Sequence, residues 1–190
     1  MNEIHAHLTV CAAEAARVTR AVTPERLDTP SACADWTVRE LADHLVLYTA
    51  HGLEHRALRT ELPEETVRRS FTAEPDWPER YAAQLDRALA AWAEPEAWEG
   101  EVDLGGTPIA APEIASLLVK ELALHGWDLA VSTGGHFTVP EDTAAFLLDV
   151  VERYAEVFRQ YEGFAAPVPV PADADAFTRA LALSGRTPRG

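Results

Sequence analysis

The stretch KELALHGWDLAVSTGG, residues 120–135, constrains this chain more than any other. It belongs to a run that reads as a buried helix from 112 to about 133. A buried helix must be surrounded by other elements, because apolar surface on all sides is stable only inside a core. Pro112 suits its first turn, and Gly134 with Gly135 suits its stop. Glu121 and His125 stand four residues apart in this run, with Leu117, Leu118, Leu122 and Leu124 around them. On a helix that spacing turns by about 40° and rises about 6 Å, so both side chains share one face. A carboxylate and an imidazole are costly to bury unless something pairs with them. A divalent cation suits both, whereas a simple ion pair on a solvated face is the bland alternative.

The elements that would surround this helix are legible from periodicity. Ile4, Leu8, Cys11, Ala15 and Val18 recur at helical steps, which predicts an amphipathic helix over 3–22. In ADWTVRELADHLVLYTAHG, Thr37 and Glu40 have the spacing of a capping box, and Trp36 with Leu41 that of a hydrophobic staple. The helix that follows runs to about 59, with Leu41, Leu45 and Tyr48 as its buried stripe and Gly52 as a weak point. Pro63, Pro75 and Pro78 bracket a polar connection containing a short helix. Tyr81, Leu85, Leu89 and Trp92 mark a helix over 77–93, and residues 97–111 read as a loop or hairpin around Gly105 and Gly106. A fifth long helix spans 141–161, followed by a Pro-rich tail and a short helix over 173–183. With 190 residues and no internal repeat, the chain reads as one domain. The fold class is all-α, a four-helix bundle with additional C-terminal helices.

In such a bundle, ligands from facing helices can meet. His44 lies beside the apolar stripe of its helix and is the candidate third ligand to Glu121 and His125. Two neutral imidazoles and one carboxylate around Zn²⁺ leave a net charge of about +1 and an open position, the pattern of catalytic zinc. Ni²⁺ or Fe²⁺ would accept the same donors. A histidine on a helix is also a common core or boundary residue, so the spacing alone leaves that reading open. Asp128, three residues after His125, could orient a ligand, but a helix-surface carboxylate is the simpler expectation. His51 and His55 continue the stripe of His44 and are expected at the surface, His51 at the nearest to a pocket mouth.

Composition excludes several functions. The net charge of −15 repels nucleic acid and anionic membranes, and the densest basic pair, Arg68 and Arg69, is surrounded by acids. No apolar run is long enough to span a bilayer, and the N-terminus lacks a basic region followed by an apolar core, so a cytoplasmic protein is expected. Cys11 and Cys33 lie in no CxxC and read as ordinary reduced thiols, Cys11 packed in its helix. No GxSxG, Gly-rich phosphate loop or HExxH is present.

The segments ADWTVRELADHL and KELALHGWDLA together resemble the DinB-like metal-binding proteins, specifically the mycothiol-dependent maleylpyruvate isomerase branch found in actinobacteria. That branch starts a His-bearing helix with Trp-Thr-Val and later carries E-x-x-x-H-G-W-D-L-A. The resemblance spans about residues 3–161, and the Pro-Val-Pro-Val-Pro-Ala-Asp tail resembles a subgroup of small members. It implies a DinB-like bundle over 1–190, with 167–190 as a Pro-rich tail bearing a short helix. It also implies a divalent metal, most often zinc, whose ligands fall on His44, Glu121 and His125. The implied function is a metal-dependent thiol transferase or isomerase in which mycothiol, a small thiol, meets a small electrophile. A homodimer is implied as well. The isomerase carries a further C-terminal domain with no expected counterpart here, so a small electrophile is expected rather than maleylpyruvate in particular. Metal-assisted hydrolysis and a non-catalytic metal-binding or stress-response module are the alternatives.

Overall fold

Asn2 opens the first helix by accepting the Ile4 N–H at 3.0 Å, and α1 then runs Glu3–Arg20. The structure is a computed structural model that describes residues 2–33, 35–103 and 107–188. Leu8, Cys11, Ala12 and Ala15 form the buried side of α1. The chain then turns through Pro24–Arg26 and a loop pinned by a Pro30–Thr37 bridge.

The capping box is formed as its spacing requires. Thr37 accepts from Glu40 N–H, and Glu40 accepts from Thr37 N–H at 2.7 Å, opening α2 over Val38–Val46. The helix continues through one π-turn, Leu47–His51, into α3, Gly52–Leu58, and stops at Arg59 in the left-handed region. The π-turn was not legible in the sequence and has a consequence. It widens the helix by one residue in that turn, and Tyr48, expected in the buried stripe with Leu41 and Leu45, is instead 38% exposed. The polar connection contains α4, Glu64–Val67, and a short turn of helix over Phe71–Ala73.

Next comes α5, Trp77–Ala93, which buries Tyr81, Leu85 and Trp92. The Trp92 indole donates to Leu53 O at 2.9 Å and fixes α5 against α3. A hairpin follows, with β1, Glu101–Asp103, antiparallel to β2, Pro108–Ala110. Its expected Gly105–Gly106 turn lies outside the described residues. The central helix, α6, spans Ala111–Ser132 and is buried almost throughout. It ends in a Schellman motif. Gly134 takes φ +81°, Gly135 N–H donates to Ala130 O at 2.8 Å, and Gly134 N–H donates to Val131 O at 3.3 Å.

These helices build an all-α four-helix bundle, in which α1 packs on α5 and α6, α2 on α6, and α3 on α5. Fully burying one Leu is worth about 1.5–3 kcal/mol, and α6 alone places Leu118, Leu122, Leu124 and Leu129 in the core. The bundle is one of two compact units, residues 1–138 and 139–190. In the second unit α7, Glu141–Gln160, packs with α8, Ala176–Leu183. Asp175 caps α8 by accepting Thr178 N–H at 2.9 Å, and Val168 N–H donates to Ala182 O. Among the described residues, no helix is long and apolar enough to cross a membrane.

Candidate metal centre

The capping box and the first two turns of α2 project His44 toward α6, where Glu121 and His125 share a face as their spacing predicts. The three residues converge. His125 Nε2 lies 3.3 Å from Glu121 Oε2, and His44 Nε2 lies 3.7 Å from the same oxygen. One donor atom from each residue falls within 4.8 Å of the others. The two imidazole rings stand edge to face with centroids 4.8 Å apart. His44 is further held between Trp36 and Tyr48, with ring centroids at 4.8 and 4.6 Å.

The decisive local observation is an unmet group. His44 Nε2 is buried and has no hydrogen-bond partner among the described residues. Its distance to Glu121 is too long for a hydrogen bond. A buried polar nitrogen left unpaired costs on the order of 1–3 kcal/mol, and it points to the place where Glu121 Oε2 and His125 Nε2 also point. Two imidazole nitrogens and one carboxylate oxygen are donors that a borderline divalent cation accepts. The residues therefore fit such an ion.

Three neighbours, Lys120, Asp128 and Cys33, shape the site. Lys120 is buried and pairs with Glu121 Oε1. Burial would raise the Glu121 carboxyl, but the Lys120 charge, with His125 and His44, outweighs it and holds the group well below the usual carboxylate range. Asp128 is 1% exposed, which corrects the helix-surface expectation. It accepts from His125 Nδ1–H at 3.1 Å, so the ring's Nε2 is turned to Glu121. Cys33 also donates to Asp128 Oδ2 at 3.1 Å, with its sulfur 3.7 Å from His125 Nδ1. Its loop is tied to α6 by Ala32 N–H, which donates to Ser132 Oγ at 2.8 Å. Cys33 is thus no isolated thiol, and burial pushes its pKa up. Cys11 behaves as expected, fully buried with its pKa pushed up to about 12.

His125 collects these contacts. Burial opposes its charged form, but Asp128, Cys33 and Glu121 overcome it and raise its pKa well above the ordinary value. His125 thus lies between two carboxylates, Glu121 on its Nε2 side and Asp128 on its Nδ1 side. His51 takes no part: it is half-buried and stacks on Phe71 with centroids 5.2 Å apart.

A bundle whose α2 and α6 carry this His, Glu, His set defines a class of helical proteins to which known sequences can be compared. The chain matches the family described as mycothiol maleylpyruvate isomerase N-terminal domain over residues 8–130, and it belongs to that family. Its structure is similar to the crystal structure of a His-to-Ala mutant of the mycothiol-dependent maleylpyruvate isomerase. That match has a TM-score of 0.61 and 20% identity over 82% of this chain and 72% of the other. A second crystal structure of the mycothiol-dependent maleylpyruvate isomerase matches with a TM-score of 0.58 at 20% identity, over the same shares of both chains. No protein with a curated description matches at a significant level.

Proposed function

We propose that the chain is a divalent-metal-dependent thiol transferase or isomerase, with mycothiol as the thiol and a small electrophile as the other substrate. The observation that carries this is the convergence of His44 Nε2, Glu121 Oε2 and His125 Nε2, the first of them buried with no hydrogen-bond partner among the described residues. Membership of the mycothiol maleylpyruvate isomerase N-terminal family supports the choice of thiol. These three residues would hold the ion, zinc first. When bound, such an ion supplies positive charge that favours the thiolate form of a small thiol.

The chain's own residues prepare that chemistry. Asp128 fixes the tautomer and direction of His125 through the Nδ1–H bond. Lys120 keeps Glu121 ionised and in place. Trp36 and Tyr48 wall His44 and hold its ring. The thiolate sulfur would then add to one carbon of an activated double bond, whose π pair moves onto the activating group as an enolate. In a transfer the adjacent carbon takes up the proton that the thiol lost; in an isomerisation the former double bond rotates, the pair returns and the thiolate is expelled. A cytoplasmic location and a homodimer complete the proposal.

The test is turnover of a small activated alkene by metal-loaded protein, with and without mycothiol. Conversion that requires both the thiol and the metal supports the proposal. Conversion that proceeds equally without thiol contradicts it.

A further inference from the structure

His125 has two ring nitrogens, and a second set of donor atoms gathers at the one turned away from Glu121. Cys33 Sγ lies 3.1 Å from Asp128 Oδ2 and 3.7 Å from His125 Nδ1, and Nδ1 lies 3.1 Å from the same oxygen. Tetrahedral zinc, with bonds of about 2.0 Å to nitrogen and oxygen and about 2.3 Å to sulfur, sets such ligands about 3.3–3.5 Å apart. Small side-chain adjustments bring the observed triangle to those edges.

The triangle is held in place without an ion. Asp128 is almost wholly buried on α6. The loop carrying Cys33 is closed by Ser31 N–H, which donates to Trp36 O at 2.9 Å. Cys33 N–H donates to Ser31 Oγ at 3.1 Å, and Ala32 N–H ties the loop to Ser132 Oγ. Asp128 Oδ2 accepts from both the Cys33 thiol and His125 Nδ1–H, so both hydrogens point into one space. A thiol is a weak hydrogen-bond donor, but its thiolate is a strong ligand for zinc and softer ions. The thiolate and the carboxylate together cancel a divalent charge, which lowers the cost of holding the ion away from water.

We propose that Cys33 Sγ, His125 Nδ1 and Asp128 Oδ2 form a second cation site, for a thiophilic divalent ion such as zinc, cobalt or cadmium. The ion takes the place of two protons, one from the Cys33 thiol and one from His125 Nδ1, and both pass to solvent. The site shares only the His125 ring with the centre proposed above. When both sites are filled, that ring bridges two ions. Like charges across one ring repel, so the second ion binds more weakly than the first and enters at metal excess.

The test is titration of the full metal-free chain with Co²⁺ under nitrogen, followed by absorption. The thiolate is the metal-binding form of cysteine, and bound to Co²⁺ it adds a charge-transfer band in the near ultraviolet that nitrogen and oxygen donors lack. Wild type should take up two ions per chain, with the band growing during the second equivalent. Cys33→Ala should take up one ion and lose the band, and Cys33→Ser serves if that variant does not fold. Asp128→Asn should weaken the band-forming step tenfold or more. His44→Ala, which damages the first site alone, should show the band from the first equivalent. Absence of the band from wild type at any cobalt excess, or its persistence in Cys33→Ala, overturns the inference. If the first centre alone fails, wild type takes up one ion and shows the band from the start.

Discussion

His125 Nδ1 stands 3.1 Å from the Oδ2 of Asp128, a carboxylate that is almost wholly buried. The bond decides which ring nitrogen faces Glu121, so Asp128 acts on a ligand without being one. Losing such an orienting partner typically costs about 10–100-fold in metal affinity. Asp128→Ala should show that loss in a competitive zinc titration. Asp128→Asn, which keeps an acceptor for Nδ1–H, should lose less. Equal affinity in all three proteins would contradict the role.

The raised pKa of His125 has a direction that can be checked. In the metal-free chain the folded value lies above the ordinary 6.5. The stabilisation it brings is therefore complete below that value and is lost as pH rises through the folded pKa. Metal binding runs the other way, because the ion needs Nε2 unprotonated. Binding should release a proton wherever His125 is protonated in the metal-free chain, and affinity should tighten as pH rises. Calorimetry in buffers of different ionisation enthalpy measures that proton. No release would mean that His125 is not a ligand.

Gly126 follows His125 for a packing reason. A Cβ there would come within 2.9 and 3.1 Å of carbons of the Phe137 ring, which is buried. Helix propensity favours Gly126→Ala by about 1 kcal/mol, whereas overpacking costs about 1–3 kcal/mol. The packing cost should win, and urea denaturation should show a net loss of stability.

Thr37 starts the helix that carries His44, and both bonds of its capping box are made. Thr37→Ala should cost about 1 kcal/mol in global stability. The midpoint of chemical unfolding checks this, with the Glu40→Ala variant expected to remove part of the same energy, since the two residues share the motif.

The helices were legible because each has a local signature. Thr37 and Glu40 are three residues apart, Glu121 and His125 four, and Gly134 directly follows its helix. Such spacings translate into geometry without knowledge of the rest of the fold. The π-turn at Leu47–His51 was not legible, because nothing in LYTAH distinguishes it from ordinary helix. The contact between Cys33 and Asp128 was not legible for a different reason: it joins residues 95 apart. Lys120 was passed over because a lysine among leucines reads as a snorkelling side chain until its burial is seen.

The central claim is that His44, Glu121 and His125 hold one divalent ion, and elemental analysis of protein purified without chelator tests it most directly. The account predicts about one metal per chain in the wild type and a small fraction of that in His125→Ala, since one of three ligands is lost. Equal metal content in the two proteins, or none in the wild type after zinc is supplied, would contradict it.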